Sequence, residues 1–391
     1  MRKNRILCYR LYDRDIPEVP LSLDLYEFIP DGIDSVIEAA RFISEQNARI
    51  AANDPAVEGD IKERTYAVLY LYERPYEKAE EEEQEWLDAM ALAAAGVLGI
   101  EKEHIIVKTR GHKSHKATDG LNPSNGQYQK NTSHAELVSA SIHGSRNEFG
   151  MTSGPFGMTS GQFGMTSGQF GMTNGITIEQ GQLFKLDLTS YLDTGLFFDH
   201  RPLRSTVRDT CSKKRVLNLF CYTGSFSVYA AQGNAAYVES VDLSNTYLAW
   251  AKDNMVLNGF DDRKKYVYTR ADCMRFLQEK AVAAKNGKLT PEELYDLIIL
   301  DPPTFSNSKA TTDILDINRD WPQLVKDCLN ILAPGGTLYF STNSEKLKFD
   351  VEKLPPKTAA GLDFTCIEIT NQTIPKDYEG RKPHKVWEFK L

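Results

Sequence analysis

The sequence has few cysteines, and none of them has the spacing of a metal site or a disulfide framework. Six cysteines are spread over 391 residues, with no Cys-x-x-Cys pair and no histidine at metal-ligand spacing. Zinc fingers, redox motifs and disulfide-rich secreted folds all require such spacing. We therefore expect buried free thiols, a reducing compartment and no bound metal.

Long apolar runs are also lacking. No stretch approaches the ~20 apolar residues that a membrane helix needs. The basic start MRKNR is followed by ILCYR, whose apolar run is interrupted too soon for the core of a signal peptide. We expect a cytoplasmic protein with no membrane partner. The net charge of −8 does not exclude a nucleic-acid partner, because binding depends on where basic residues cluster.

A dinucleotide-binding motif is missing from the place where one would be expected. Residues 215–224, RVLNLFCYTG, predict a buried parallel strand and a turn, and residues 225–231 predict the following helix. In open α/β sheets, ligands bind outside the carboxyl ends of such strands. A pyrophosphate needs Gly-x-Gly-x-x-Gly, whereas only Gly224 is present. S-adenosylmethionine (AdoMet) has no phosphates and needs instead a carboxylate for its ribose.

Acidic residues end the next three predicted strands. Asp242 ends the strand 236–242, about 18 residues after Gly224, and is placed to bind a ribose. Asp272 follows a short strand and is placed to accept from the adenine amine. Asp301 follows the strand 295–300 and opens the motif DPPT, which precedes Phe305. Four successive strands that each end in a polar group predict one ligand site.

These motifs resemble a known family. The order NLFCYTG, VDLSNTYLAWAKDNMVLNG, ADC and LDPPTFSNSK is similar to class I AdoMet-dependent RNA methyltransferases. It most resembles the C-terminal half of the bifunctional bacterial 23S ribosomal RNA guanine methyltransferases, the half that forms 7-methylguanosine. It resembles the ribosomal RNA cytosine-5 methyltransferases less closely. The resemblance implies AdoMet as cofactor, ribosomal RNA of the large subunit as partner, and an α/β fold with a Rossmann-like seven-stranded sheet.

We expect two domains. Residues 1–182 would form an N-terminal α+β domain that presents the RNA, and residues 183–391 the methyltransferase domain. The segment 131–175 contains a seven-residue repeat, GMTSG followed by Pro or Gln and Phe. Two glycines per repeat exclude a coiled coil, and the copies are too few for a solenoid. We expect it to be a disordered insertion.

Further elements are predicted near the carboxyl terminus. Residues 316–332 predict a helix, and APGG at 333–336 predicts its end before a strand at 337–343. The segments 364–370 and 385–389 predict the last two strands, one of them antiparallel. His384, in the loop between them, is interpreted as a structural turn residue.

The resemblance also implies cofactor contacts outside the strand ends. The run DTGLFFDHR at 193–201 lies beside the AdoMet pocket in the family, and Asp199 and Arg201 are expected to bind the methionine end. The expected cofactor contacts are then Asp199, Arg201, Asn218, Phe220, Tyr222, Gly224, Asp242, Leu243, Asp272, Cys273 and Asp301.

A basic segment at 104–130 is a candidate RNA contact. It contains a single acid, Asp119, and its predicted phosphate-binding residues are Lys108, Arg110, Lys113, Lys116 and Lys130. Such a loop neutralises phosphates without specifying sequence. An ordinary solvated loop explains the composition equally well.

The chemistry of the DPPT motif favours a nitrogen target. Asp301 would accept from guanine N–H groups, Pro302 and Pro303 would stiffen the turn, and Phe305 would stack on the flipped base. Guanine N-7 has a free lone pair, so that positioning alone is required. Cytosine-5 transfer needs a cysteine nucleophile, which the motif lacks. The alternatives are the guanine exocyclic amine, cytosine C-5, and a non-catalytic AdoMet-binding module for RNA binding or assembly.

Overall fold

The N-terminal part contains a four-stranded sheet. The computed structural model describes residues 1–72, 79–110, 173–306 and 314–391. The first pairings are antiparallel and the last is parallel, in the order β1 (Cys8–Asp13), β2 (Leu21–Glu27), β3 (Thr65–Tyr72) and β4 (Ile105–Arg110). Seven of the eight residues of β3 are buried. The run of apolar and aromatic residues in β3 explains its central position in the sheet.

Three helices connect these strands: α1 (Val36–Ala51), α2 (Pro55–Glu63) and α3 (Glu80–Leu98). Ser35 and Asp54 cap the first two helices through their side chains. Four glutamates occupy the first turn of α3, where the helix dipole stabilises negative charge. The helix α3 buries Leu87, Ala91 and Ala95 in a cluster that includes residues of β3.

A hairpin of β5 (Asn174–Glu179) and β6 (Gln182–Asp187) joins the two parts of the chain. Residue 182, the predicted end of the N-terminal domain, is the first residue of β6. The predicted insertion extended to residue 175, which was wrong at its end, because Asn174 already begins β5. The rest of the insertion up to residue 172 lies outside the described residues. The hairpin contacts both parts: Leu7 N–H donates to Ile178 O (2.9 Å), and Leu183 N–H donates to Asn258 Oδ1 (2.9 Å).

The second sheet has seven strands in the order β14-β15-β13-β10-β7-β8-β9. β15 runs antiparallel to both of its neighbours, β13 and β14, and the other pairings in this sheet are parallel. A two-stranded ribbon, β11 with β12, follows β10. In chain order these strands are β7 (Arg215–Leu219), β8 (Tyr237–Asp242), β9 (Tyr266–Arg270), β10 (Tyr295–Leu300), β11 (Phe305–Ser306), β12 (Leu315–Asp316), β13 (Leu332–Thr342), β14 (Thr365–Glu368) and β15 (Lys385–Lys390).

Helices cover both faces of this sheet. Alternate residues of β10 belong to different cores, with Leu297 and Ile299 in one and Ile298 and Leu300 in the other. The two-residue alternation of a strand therefore explains why β10 is apolar throughout. The helices are α4 (Arg201–Thr210), α5 (Ser225–Gln232), α6 (Asn245–Leu257), α7 (Cys273–Lys285), α8 (Ile317–Ile331) and the short α9 (Thr370–Thr373).

The segment predicted to separate α8 from the fifth strand belongs to that strand. β13 begins at Leu332, opposite Tyr295, and its register then shifts so that Thr337 pairs with Leu297. Residues 333–336 thus form a bulge, for which glycines are well suited. Among the described residues, no helix combines the length and apolarity needed to cross a membrane.

Candidate active site

The predicted strand-end residues lie along one edge of the seven-stranded sheet. Leu219, the last residue of β7, pairs with Leu300 of β10 and with Val241 of β8. Asp301 and Asp242 therefore follow neighbouring positions on either side of the turn after β7. The strands are parallel, and the strand order reverses at β7: β8 and β9 follow on one side, β10 and β13 on the other. At such a topological switch point, the carboxyl ends of the strands open a crevice.

The turn after β7 has a strained backbone. Phe220 and Tyr222 have φ angles of 54° and 51°, which non-glycine residues rarely adopt. Such strain persists only where the surrounding structure enforces it, often at ligand sites. Gly224 has a φ of 75°, and a Cβ there would lie 2.7 Å from the Ala251 Cβ of α6. The glycine therefore permits both the turn and the close packing of α6.

Asp242 is held at the edge of the crevice by backbone donors. Its Oδ2 accepts from Tyr222 N–H (3.0 Å) and its Oδ1 accepts from Ser244 N–H (2.9 Å). Burial raises the pKa of this carboxyl group, and the backbone donors oppose that change. Each oxygen has a second lone pair that can accept from a hydroxyl. The next residue, Leu243, contributes its carbonyl to Arg270 Nε (3.3 Å).

Three other predicted cofactor contacts, Asn218, Asp272 and Cys273, form hydrogen bonds within the protein near the ends of the strands. Asn218 is 2% exposed, and its Nδ2 donates to Ser227 Oγ (2.9 Å). Cys273 is also buried, and its Sγ accepts from Phe220 N–H (3.3 Å). Asp272 caps α7 by accepting from Met274 N–H (2.8 Å). The side chains of Asn218 and Cys273 thus hold the turn and the strands together.

Arg201 has partners other than those expected from the sequence. Its guanidinium donates to Glu179 Oε2 (2.9 Å), to Asp377 Oδ1 (2.8 Å) and to Cys8 O (3.0 Å). These contacts are buried and neutralise its charge. The structure therefore gives Arg201 a role in joining β5, α4 and the N-terminal strand. Its contact with the methionine end of AdoMet stays a prediction.

Two of the predicted RNA contacts also have internal partners. Lys108 Nζ donates to Leu192 O (3.1 Å) and Arg110 Nη2 pairs with Asp193 Oδ1 (2.6 Å). Burial lowers the pKa of Lys108 to about 8. Both side chains thus anchor the segment before α4 to β4. Lys113, Lys116 and Lys130 lie outside the described residues.

The DPPT motif forms the corner after β10. The Asp301 side chain is 32% exposed, whereas Pro302 is buried. Thr304 Oγ1 donates to Asn343 Oδ1 (2.5 Å), which ties the corner to the end of β13. Phe305 belongs to β11 and pairs with Asp316 of β12. The corner is therefore held on two sides while the Asp301 carboxylate remains accessible.

A buried histidine pair beside Asp301 was not expected from the sequence. His200 Nε2 lies 3.6 Å from Asp301 Oδ1, and its Nδ1 lies 3.3 Å from Asp199 Oδ2. His384 Nδ1 lies 2.9 Å from the same oxygen of Asp199. The two imidazole rings stack with centroids 4.2 Å apart. Asp199 therefore serves two histidines.

Local sequence contained little signal for this cluster. His200 follows Asp199 directly, but His384 is distant in the chain and joins them only through the antiparallel strand β15. The three side chains are of types that bind transition metals, and their ligand atoms lie within 4.8 Å of one another. In the structure these atoms contact one another. The expectation of no metal stays a prediction.

An aromatic surface also borders the turn. Phe197 is 45% exposed, and its ring centroid lies 5.3 Å from that of Tyr222. Tyr222 in turn contacts Tyr247 edge to face at 4.7 Å and lies near Trp250. Rings with exposed faces are suited to stacking with nucleobases. Phe197 lies within the run DTGLFFDHR at 193–201, but it was not among the predicted site residues.

The strand order, the single antiparallel strand and the acidic carboxyl-terminal edge define a Rossmann-like class I AdoMet-dependent methyltransferase. A profile of the S-adenosylmethionine-dependent methyltransferase family matches residues 164–365, which is more than half of the chain. The chain belongs to this family, and its cofactor is AdoMet. The predicted fold class is thereby confirmed.

Curated relatives are similar over nearly the whole chain. Ribosomal RNA large subunit methyltransferase K of Neisseria meningitidis is 35% identical over 390 residues, which are 100% of this chain and 82% of the relative. Ribosomal RNA large subunit methyltransferase K/L of Shewanella frigidimarina is 34% identical over 388 residues, or 99% of this chain. The chain spans only 40% of the length of that K/L relative.

Solved structures support the same fold. A SAM-dependent methyltransferase from Streptococcus mutans superposes with a TM-score of 0.58 at 18% identity, over 99% of this chain and 76% of that chain. A methyltransferase structure in complex with SAH (S-adenosylhomocysteine) gives a TM-score of 0.57 over the same shares. At this identity the likeness establishes the fold alone.

Proposed function

We propose that this protein transfers a methyl group from AdoMet to N-7 of a guanine in large-subunit ribosomal RNA. The observation that carries the proposal is the accessible Asp301 carboxylate at the same sheet edge as the Asp242 carboxylate. The names of the curated relatives support ribosomal RNA as the substrate. The chain spans 40% of the length of the K/L relative. Both the substrate and the methylated atom are therefore part of this proposal.

The strand-end residues fit the cofactor chemically. Asp242 presents unused carboxylate lone pairs where ribose hydroxyls can donate, and two backbone N–H groups fix its orientation. Asp272 follows β9, the strand next to β8, and is proposed to accept a hydrogen bond from the exocyclic amine of adenine. When bound, AdoMet supplies an electrophilic methyl group on a sulfonium. The chain's own contribution is to orient the nucleobase and to exclude water.

Asp301 is proposed to hold the guanine through its N–H donors. A carboxylate with two acceptor oxygens matches the adjacent ring N–H and amino group of guanine, so that N-7 can be aimed without any proton transfer. Thr304 and the buried Pro302 keep this corner rigid. Phe305 and Phe197 are the candidate stacking partners for the base.

The cysteines argue against cytosine C-5 as the target. Cys221 and Cys273 lie nearest to the crevice, and burial raises the pKa of each thiol well above its usual range. A thiol is nucleophilic only as the thiolate, which such burial suppresses. A covalent attack on the cytosine ring therefore lacks a suitable nucleophile among these residues.

The test is methyl transfer to unmodified large-subunit ribosomal RNA. The purified chain would be incubated with isotope-labelled AdoMet, and the nucleosides would be identified by mass spectrometry. We expect labelled 7-methylguanosine. Labelled 2-methylguanosine would assign the exocyclic amine, and labelled 5-methylcytidine would overturn the argument from the cysteines. RNA binding without any label would support a non-catalytic assembly module.

Asp301→Asn tests the role of the carboxylate within that assay. The change leaves shape and size intact but replaces one acceptor oxygen with an amide NH2 donor, which would face the N–H donors of guanine. We expect transfer to fall about 100-fold, the typical cost of misplacing a reactant. AdoMet affinity, measured by calorimetry, should stay unchanged. The matched control is Asp363→Asn, since that carboxylate is exposed and forms an ion pair with the exposed Lys357; equal rates in both variants would remove Asp301 from the site.

A further inference from the structure

The buried histidine cluster provides Asp301 with a fixed neighbour. Among the ion pairs of the described residues, the one that Asp301 makes is with His200, at 3.6 Å from Nε2 to Oδ1. The His200 side chain is buried, whereas that of Asp301 is accessible at the crevice. An interior side chain with few alternative rotamers is thus in contact with the group that faces the substrate.

His200 is itself oriented on every side. Its Nε2 lies 2.6 Å from Ser341 Oγ, at the end of β13, and its Nδ1 faces Asp199. Its ring contacts Phe226 edge to face at 5.9 Å and stacks on His384. These contacts fix both the plane and the depth of the imidazole. The arrangement of carboxylate, imidazole and second carboxylate runs from the interior to the crevice.

The charges around His200 favour its protonated form. Burial alone lowers the pKa of His200, but the carboxylates of Asp301 and Asp199 outweigh it and the pKa is raised. Arg204 and the amino terminus of α4 oppose the cation. His384 has a lowered pKa because of burial and the neighbouring His200, so it is the neutral member of the stacked pair. Protonated His200 donates from both nitrogens, to Asp199 and to the side of Asp301 and Ser341.

We propose that His200 is a positioning residue, held by Asp199, which fixes the Asp301 carboxylate toward the target base. This inference rests on the proposed function of Asp301. If His200 were neutral, Asp301 would stay on the corner after β10. It would lose the charge attraction that restricts its rotamer. Asp199 contributes indirectly, by orienting His200. Its Oδ2 contacts the Nδ1 atoms of both His200 and His384.

A pH dependence follows with a definite sign. The raised pKa means that the His200 cation persists above the range of a free imidazole and is lost as the pH rises through the folded-state pKa. Methylation of guanine N-7 needs no base. The rate of methyl transfer should therefore be highest at low pH and should fall as His200 loses its proton. A base-dependent reaction at an amino group would show the opposite limb.

The kinetic test compares His200→Gln with wild type over this pH range. The glutamine keeps polar contacts but cannot carry the charge, so kcat should fall about 10-fold at low pH and the limb should disappear. The KM for AdoMet should change little. His104→Gln is the matched control, because that histidine hydrogen-bonds a backbone carbonyl and stacks on Tyr66 in the N-terminal sheet. A variant His200→Gln with the wild-type pH profile would overturn the proposal.

A second measurement does not depend on activity. The imidazole signals of the full chain, labelled at histidine, would be followed by NMR against pH in wild type and in Asp301→Asn. Removing the Asp301 charge should lower the pKa of His200, because that carboxylate is one of the two that raise it. An unchanged His200 titration would refute the coupling even if methyl transfer is confirmed. A lowered pKa in a protein without transfer activity would instead retain the coupling and refute the proposed function.

Discussion

Gly224 shows how one residue at the site satisfies two requirements. Its positive φ closes the turn after β7, and its missing Cβ leaves room for Ala251 of α6, which a side chain would approach to 2.7 Å. The first requirement concerns the local backbone and the second the packing of a helix. Replacing Gly224 therefore affects both the backbone and the packing. Comparison with a glycine whose replacement affects only the backbone separates the two effects.

Gly224→Ala should destabilise the protein more than Gly259→Ala. Gly259 has a similar φ of +82°, but nothing lies within 4 Å of its Cβ position. We expect Gly259→Ala to cost about 1–2 kcal/mol from backbone strain alone. Gly224→Ala should cost about 1–3 kcal/mol more, because the added methyl overpacks the contact with α6.

The measurement is urea unfolding of both variants without cofactor. Equal losses in the free energy of unfolding would contradict the contact between the turn and α6. They would also remove the reason to regard Gly224 as a packing residue.

At the scale of elements, β5 and α4 are joined by a buried charge cluster. Glu179 of β5 accepts from Arg201 Nε (2.9 Å) and from Arg204 Nη2 (2.6 Å), and Tyr229 of α5 donates to it (3.0 Å). All four side chains are buried. Such a cluster fixes relative orientation, and removing one member leaves charges without partners in the interior.

Glu179→Gln should therefore be strongly destabilising. Without the Glu179 charge, the Asp377 carboxylate faces two buried guanidinium groups and one positive charge stays uncompensated, so we expect a loss of about 3–5 kcal/mol in the free energy of unfolding. The matched control is Asp253→Asn, which breaks the exposed pair with Lys185 and should cost about 0–1 kcal/mol. Thermal and urea unfolding of both variants would decide, and similar small losses would contradict the inferred burial of the cluster.

The elements that could be predicted from the sequence are those with local signals. β7, β8 and β10 are short apolar runs followed by an acid or a turn, and their order along the chain suffices to place their ends together. The β13 bulge was missed because Pro-Gly-Gly is equally typical of a loop. The internal partners of Lys108 and Arg110 could not be predicted, because composition indicates charge and does not indicate partners.

Contacts between distant parts of the chain were beyond such signals. His384 meets His200 because β15 returns antiparallel beside β13, and Asp377 meets Arg201 through the loop before it. No spacing in the sequence encodes either pair. The candidate site was thus predictable at its strand ends, whereas the groups that orient Asp301 required the three-dimensional arrangement.

Across the chain, the N-terminal part and the methyltransferase sheet share a core. One buried cluster contains Tyr26 and Val68 of the first sheet together with Phe184 of the hairpin and Val216 of the second sheet. Tyr26 also hydrogen-bonds Thr194 in the segment before α4 (2.9 Å). Lys108 and Arg110 hold the same segment, which leads directly into Phe197, Asp199 and His200. The first sheet therefore supports the approach to the crevice.

We propose that one edge of the sheet both binds the cofactor and presents a nucleobase to it. The most direct measurement is a crystal structure of the full chain with SAH. We expect the ribose hydroxyls to donate to Asp242 and the sulfur to face the Asp301 corner, beside His200. A molecule of SAH bound in another cleft, or with its ribose turned away from Asp242, would contradict this shared site.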